Sequence, residues 1–286
     1  MATFIQNQAN LTYNYGEQEG YATSNIATTV VEDALTAQKT VLNTSYNATS
    51  PITYILSMTN TSTTNPLTNV QITDNLGTFT NSGITLTPLT FVGPAKLYLN
   101  GIFNQDLTPV TQPNSFTFTI PSVPAETTAM IVYQAIVNNT APLQTGASIT
   151  NTTTFIADGM ANQVTASANI TIDNYANVSI VKSMSPNPVT SGSPLTYTFN
   201  IYNYGNVAAE RVVLTDTFSP APDDISITLN GTVLSNADYT YTNGILTLPS
   251  TTGTSFTIPA ATFTRNADGT INTNPGTATV VVQGII

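Results

Sequence analysis

Two halves of this chain carry the same residues in the same order, yet the copies do not begin and end together. Matched anchors keep a near-constant separation: Asn7 to Asn151 is 144 residues, Lys39 to Lys182 and Pro51 to Pro194 are both 143, and Asp74 to Asp216 is 142. Local matches include Ser50-Pro-Ile-Thr-Tyr54 with Ser193-Pro-Leu-Thr-Tyr197, Asn60 with Asn203, and Leu99-Asn-Gly101 with Leu229-Asn-Gly231. Anchors that hold order and spacing mark an internal duplication. The stretch TATVVVQGII at 277–286 matches TAMIVYQAIV at 128–137, which runs on into GASITNTTTF at 146–155. The counterpart of that continuation is TFIQNQANL at 3–11. The chain is therefore expected to open with the last strand of a domain whose body is C-terminal, an arrangement suited to head-to-tail assembly.

Length allows two domains with cores of their own, since the chain has 286 residues. Charged residues make up only 7% and apolar ones 41%, so the polar surface must come from Thr, Asn, Ser and Gln. Threonine and the β-branched and aromatic residues favour strands, and scattered Asn-Gly, Pro and Gly favour turns, which predicts an all-β fold. Period-two alternation gives inward sets Ile52, Tyr54, Leu56 and Val70, Ile72 in the first copy, with Leu195, Tyr197, Phe199 and Val212, Leu214, Phe218 in the second. Short strands of this kind suggest two tandem immunoglobulin-like β-sandwiches. The expected organisation is an N-terminal donor strand over 1–16, a linker strand or connection over 17–34, and a first sandwich over 35–158. A connecting strand over 159–176 then leads to a second sandwich over 177–286 that lacks its last strand.

Composition excludes several functions. Five basic residues spread singly against 15 acidic ones leave no electrostatic footprint for nucleic acid or an anionic membrane. With no cysteine and no histidine, disulfides, thiolate nucleophiles, the usual zinc sites and the commonest general base are all removed. No cofactor and no metal are expected. The first residues have neither a basic nor an apolar leader region, so export without a signal peptide, for example by lysis of the producing cell, is expected unless a leader has been removed.

Three polar residues per repeat share the phase of the apolar ones. Lys182 is in phase with Val178, Ile180 and Met184, Asp216 with Leu214 and Phe218, and Asn151 with Ile149 and Phe155. Lys39, Asp74 and Asn7 behave alike, Asn7 lying in phase with Ile5, Ala9 and Leu11. Alternation thus places a lysine, an aspartate and an asparagine inside each sandwich. Burying both charges is costly unless they are paired. Two readings stay open: a structural ion pair with the Asn satisfying leftover hydrogen bonds, or a covalent one. In the second, a lysine made nucleophilic by burial attacks the Asn amide, assisted by the carboxylate, and forms an isopeptide bond with loss of ammonia. The pairs would be Lys39 with Asn151, assisted by Asp74, within the chain, and Lys182 with Asn7, assisted by Asp216, between subunits. Asn272 and Asn274 are fallback partners for Lys182.

Other signals are weak. Asn-x-Ser/Thr triplets are expected by chance in a chain this rich in Asn and Thr. Asp223-Asp224 and Glu17-x-Glu19 lack the spaced oxygens of a calcium loop. Tyr13, Tyr15 and Tyr21 offer an aromatic platform for sugars as one reading, but tyrosine is common in strands and the ordinary strand role is the one expected.

The motifs Val178-Ser-Ile-Val-Lys182-Ser-Met-Ser-Pro, Gly192-Ser-Pro-Leu-Thr-Tyr-Thr-Phe-Asn-Ile-Tyr-Asn203 and Val213-Leu-Thr-Asp216 resemble the conserved-repeat family known as domain of unknown function eleven. The first copy carries the same pattern through Lys39, Ser50-Pro-Ile-Thr-Tyr54, Asn60 and Asp74. The opening Phe4-Ile-Gln-Asn-Gln-Ala9 resembles two-repeat members from spore-forming Firmicutes. The resemblance implies immunoglobulin-like surface proteins, among them building blocks of clostridial spore appendages. It also implies a likeness to isopeptide-forming pilin domains, with Asp74 and Asp216 where B-type pilin domains carry Glu. The function expected is a structural subunit of an extracellular fibre on a spore or cell surface, whose partner is a second copy of itself, with other surface or spore-coat proteins as further candidates. Ile5, Asn7, Ala9 and Leu11 would be the donated residues. A monomeric adhesin or carbohydrate-binding module is the alternative, and an enzyme the least expected.

Overall fold

Strands alternate buried and exposed side chains along almost every long segment, which is what two facing sheets require. The computed structural model describes residues 3–31, 34–253 and 255–286. The principal strands are β1 (Thr3–Asn7), β2 (Asn10–Tyr15), β3 (Gln18–Thr23) and β4 (Ala27–Val31) in the N-terminal segment. The first repeat contains β5 (Leu35–Val41), β6 (Pro51–Asn60), β7 (Leu67–Asp74), β8 (Leu89–Leu99), β9 (Ser115–Val123), β10 (Thr128–Val137), β11 (Ser148–Ile156) and β12 (Val164–Ile172). The second contains β13 (Val178–Ser185), β14 (Pro194–Asn203), β15 (Leu214–Thr217), β16 (Asp223–Leu229), β17 (Ile245–Leu248) and β18 (Gly276–Ile285). The fold is all-β, with two tandem immunoglobulin-like sandwiches.

In the first sandwich, one sheet runs Ile102–Leu107, β8, β10, β6, β5 and the other Val110–Gln112, β9, β7, β11, β12, Ser45–Tyr46. Between them lies a core of aromatic and branched residues, with Tyr54, Tyr133, Phe116, Phe118 and Phe155 all at 1% exposure or less. Each such side chain contributes roughly 1.5–3 kcal/mol by leaving water. In the second sandwich, β13, β14, β18, β16 and Thr232–Val233 make one sheet. The facing side is shorter: β15, β17 and Thr240–Thr242 form three strands. Its core holds Leu195, Phe199, Ile201, Ile227, Leu246, Val280 and Val282.

Turn chemistry repeats with the duplication. Asn100-Gly101 and Asn230-Gly231 both adopt left-handed backbone, with φ of 47° and 81° in the first and 50° and 81° in the second. A two-residue hairpin turn needs that sign at both positions, which Asn and Gly tolerate. The matched asparagines Asn60 and Asn203 are structural. Asn203 is fully buried, donates to Val207 O and Pro259 O, and accepts from the amides of Gly205 and Asn177. The repeats are joined by a polar junction in which Asn206 Nδ2 donates to Leu143 O at 3.2 Å and Asp173 O at 2.8 Å, and Thr145 Oγ1 donates to Asn206 O at 3.0 Å.

Among the described residues, none of the N-terminal segment belongs to either core. β1 pairs antiparallel with β4 and β2 with β3, so residues 3–31 form one long hairpin. Within the segment 17–34, expected as a linker strand or connection, β3 pairs with β2 and β4 with β1.

Candidate functional site

In the first sandwich, cross-strand register explains the inward positions of Lys39, Asp74 and Asn151. Lys39 on β5 lies opposite Leu56 of β6, whose side chain is 1% exposed, so both point inward. Asp74 on β7 lies opposite Thr153 of β11, and Asn151 is two residues earlier on the same face of β11. All three predicted residues are buried: Lys39 is 5% exposed, Asp74 and Asn151 0%.

Lys39 Nζ donates to Asp74 Oδ2 at 2.6 Å and to Thr153 Oγ1 at 2.9 Å. Asp74 Oδ2 also accepts from Tyr133 OH at 2.6 Å and Thr153 Oγ1 at 2.7 Å, while Oδ1 accepts from the Leu76 amide at 2.9 Å. Asn151 Nδ2 donates to Tyr133 OH at 3.0 Å. The lysine and the asparagine share no direct hydrogen bond. They are joined instead through a continuous chain, Lys39 to Asp74 to Tyr133 to Asn151. Asn151 Oδ1 is buried without a hydrogen-bond donor from the protein. The lysine also sits 4.8 Å from the centre of the Tyr54 ring, which favours the cation.

Burial pulls Lys39 down to about 8, against the opposing pull of the Asp74 charge and hydrogen bond. Between pH 8 and its ordinary 10.5, the unfolded chain keeps this proton and the folded chain has released it. More protons bound in the unfolded state means that stability rises with pH across this window, while below 8 the cost of burying the cation is fully present. Above pH 10 the buried Tyr54 and Tyr133, both shifted upward by burial, act in the opposite sense. Denaturant titrations of Asn151→Ala from pH 8 towards pH 10 are therefore expected to show rising stability of the first sandwich. Adding Lys39→Met should flatten that slope; an unchanged slope would show that Lys39 does not titrate there.

The second sandwich repeats the pair in different surroundings. Lys182 Nζ lies 2.5 Å from Asp216 Oδ2, and the lysine faces the rings of Tyr197, Phe199 and Phe218 at 5.0–5.2 Å. Within one subunit the second triad, expected between neighbouring chains, is not assembled. The side chains of Lys182 and Asp216 are 36% and 18% exposed, and Asn7 is exposed on the hairpin. Orientation follows the predicted phase: Val178, Ile180, Lys182 and Met184 lie opposite Asn203, Ile201, Phe199 and Tyr197, all buried. Yet Val178, Ile180 and Met184 are 46%, 51% and 52% exposed. They point inward with nothing on top of them. In the first repeat β12 packs across β5, and β11 occupies one edge of β7. In the second, β15 pairs with β17 alone, and among the described residues no strand lies along its other edge.

Among the proposed donor residues, Ile5 and Leu11 are 55% and 61% exposed, and Asn7 and Ala9 are exposed as well. The described hydrogen bonds of residues 3–31 run only within the hairpin. Asn272 and Asn274 bond to each other on Ile271–Asn274. Glu19 accepts from Tyr21 OH at 2.8 Å. Asp223 and Asp224 are exposed, and no group of three metal-ligating side chains occurs among the described residues. Tyr13 and Tyr15 stand 6.2 Å apart on the hairpin and are half exposed.

Sequence reasoning missed Tyr133 and Thr153. Both are in phase with neighbouring core residues, so alternation could have placed them inside. Neither is kept by the duplication: Val282 matches Tyr133 and Ala9 matches Thr153.

No family model matches the chain, so the resemblance to the conserved-repeat family stands on the quoted motifs alone, and no curated protein matches either. Among solved structures, the chain is similar to BcpA, the major pilin subunit of Bacillus cereus, with 11% identity and a TM-score of 0.39 over 96% of this chain and 73% of that one. It is similar to the pilus backbone RrgB from Streptococcus pneumoniae with 15% identity and a TM-score of 0.35, over 85% of this chain and 49% of that one. A 35 kDa C-terminal fragment of the major pilin GBS80 of Streptococcus agalactiae gives 12% identity and a TM-score of 0.37, over 85% and 79%.

Proposed function

We propose that this chain is the structural subunit of an extracellular bacterial fibre, built head to tail by donation of its N-terminal strand to the second sandwich of the next subunit.

 The observation that carries this reading is the bare edge of β15 beside the uncovered inner face of β13, together with a free segment whose sequence matches the strand that fills the same place in the first repeat. By the anchor spacing, Ala9 would lie opposite Asp216 as Thr153 lies opposite Asp74, with Leu11 opposite Leu214. Ile5, Asn7, Ala9 and Leu11 would then enter the core, and the backbone of β15 would gain hydrogen bonds along its open edge.

Geometry favours a neighbouring molecule over the chain's own second sandwich. The hairpin joins the body at Leu35, the start of β5, where the amide of Thr61 donates to Ala34 O. The second sandwich attaches beyond the other end of β5, where Asp173 N donates to Tyr46 O. Those ends are separated by a strand of seven residues, about 23 Å at ~3.3 Å per residue. The connection at 32–34 reaches only about 10 Å. A contact between different surfaces of successive copies repeats without closing, which gives a filament. Ile5→Glu is expected to prevent fibre growth seen by negative-stain microscopy, while leaving the subunit folded, because Ile5 touches neither core. Fibres of normal length from that variant would sink strand donation.

The polar clusters supply a lock for the same fibre. Lys39, made easier to neutralise by burial, would pass a proton to Asp74 and attack Cγ of Asn151. The Cγ–Nζ bond forms and the Cγ–Nδ2 bond breaks; of the two protons lost by Nζ, one leaves on Nδ2 as ammonia and the other stays on Asp74. The chain through Asp74 and Tyr133 supports such a transfer, at 2.6, 2.6 and 3.0 Å. Lys182 and Asn7 of successive subunits would react likewise, assisted by Asp216. Intact mass spectrometry of the monomer should show the loss of one ammonia, restored by Asn151→Ala. Assembled material should resist denaturant until Asn7→Ala is introduced. The full sequence mass, in monomer and fibre alike, would leave both clusters as ion pairs.

A further inference from the structure

The donated element is larger than one strand. We infer that the unit inserted into the next copy is the whole two-stranded hairpin, residues 3–31, with β4 seated across β13 as β12 is seated across β5. This rests on the fibre reading above and specifies what the acceptor surface takes.

Pairing register is the first support. In the first sandwich, Ser148, Ile149, Thr150 and Asn151 lie opposite Thr171, Ile170, Asn169 and Ala168. In the hairpin, Phe4, Ile5, Gln6 and Asn7 lie opposite Val30, Thr29, Thr28 and Ala27. The same asparagine therefore faces an alanine in both places. The hairpin reproduces the β11–β12 pair already formed, so donation requires docking and no refolding of that stretch.

The second support is what remains uncovered if a single strand docks. A strand on the edge of β15 takes the place of β11, which makes few contacts with β5. The strand that packs broadly over β5 is β12, whose buried residues are Ala168, Ile170 and Ile172, at 9%, 0% and 7% exposure. One donated strand would leave Val178, Ile180 and Met184 still facing water. The hairpin brings the missing layer: Ala27 and Thr29 match Ala168 and Ile170. It also closes the water-accessible side of Lys182 and Asp216, turning the exposed pair into a counterpart of the buried Lys39 and Asp74.

Full-length variants separate the two modes. Ala27 and Thr28 are both exposed in the free subunit, so a charge at either leaves folding intact. Ala27→Glu puts a carboxylate on the inner face; Thr28→Glu, matching the exposed Asn169, puts it on the outer face. Static light scattering against concentration is expected to show that Ala27→Glu raises the concentration needed for polymerisation by about a hundredfold or more, the equivalent of a few kcal/mol. Thr28→Glu should polymerise like the unmodified protein. If Ala27→Glu polymerises normally while Ile5→Glu does not, the second strand stays outside and the hairpin inference fails, with strand donation intact. Equal loss in Ala27→Glu and Thr28→Glu would also overturn it, since the effect would then follow charge and not the inner face. Normal growth of Ile5→Glu would remove the fibre reading itself.

Discussion

Removing residues 1–33 is expected to yield a folded monomer that forms no fibre and that stops the growth of full-length subunits. Both halves of this expectation follow from where the cores lie. Among the described residues, the two hydrophobic clusters begin at Leu35 and contain none of the hairpin, so the truncated body keeps that packing. What it loses is the donor. It retains the acceptor, with the free edge of β15 and the bare residues of β13, and so can receive the hairpin of a full-length neighbour while offering none in return. Substoichiometric amounts should therefore shorten fibres in proportion to the dose, as measured by length distributions in negative stain. Fibres formed by the truncated protein alone, or full-length fibres indifferent to it, would contradict strand donation.

In an Asn151→Ala background, where no isopeptide bond can form, Asp74→Ala is the substitution with the largest expected effect on stability. It leaves Lys39, 5% exposed, without its counter-ion and takes the acceptor from Tyr133, Thr153 and the Leu76 amide. Breaking one side of a buried pair typically costs about 3–5 kcal/mol. The matching change in the free subunit, Asp216→Ala, removes a pair whose lysine side chain is 36% exposed, and should cost no more than about 1 kcal/mol. Urea titrations of the two variants, following the first and second sandwiches with separate probes, test this difference. Replacing both partners in the first repeat, Lys39→Met with Asp74→Leu, should recover most of the loss, since no charge is then left buried. Equal destabilisation by Asp74→Ala and Asp216→Ala would mean that the two pairs are equally enclosed, contrary to their exposures.

Much of this was legible in the residues. The offset of the anchors located both repeats, and alternation gave the inward sets on β6, β7 and β14, where Ile52, Tyr54, Leu56, Val70, Ile72, Leu195 and Phe199 are all buried. Phase also aimed Lys39 and Lys182 inward, correctly in each case. Phase says which way a side chain points, however, and not what covers it. That is why the sequence treated Lys39 and Lys182 alike.

Local spacing and repetition thus determined the all-β pattern, the duplication, the inward phase of Lys39, Asp74, Asn151, Lys182 and Asp216, and the match of residues 3–11 to β11. Tertiary structure decided the rest. It drew Tyr133 and Thr153 into the first cluster from strands remote in sequence from Lys39, paired β3 with β2 and β4 with β1, and enclosed one lysine while leaving its twin open. The physical reason is that burial belongs to the layer opposite: β11 and β12 supply that layer over β5, and among the described residues none supplies it over β13.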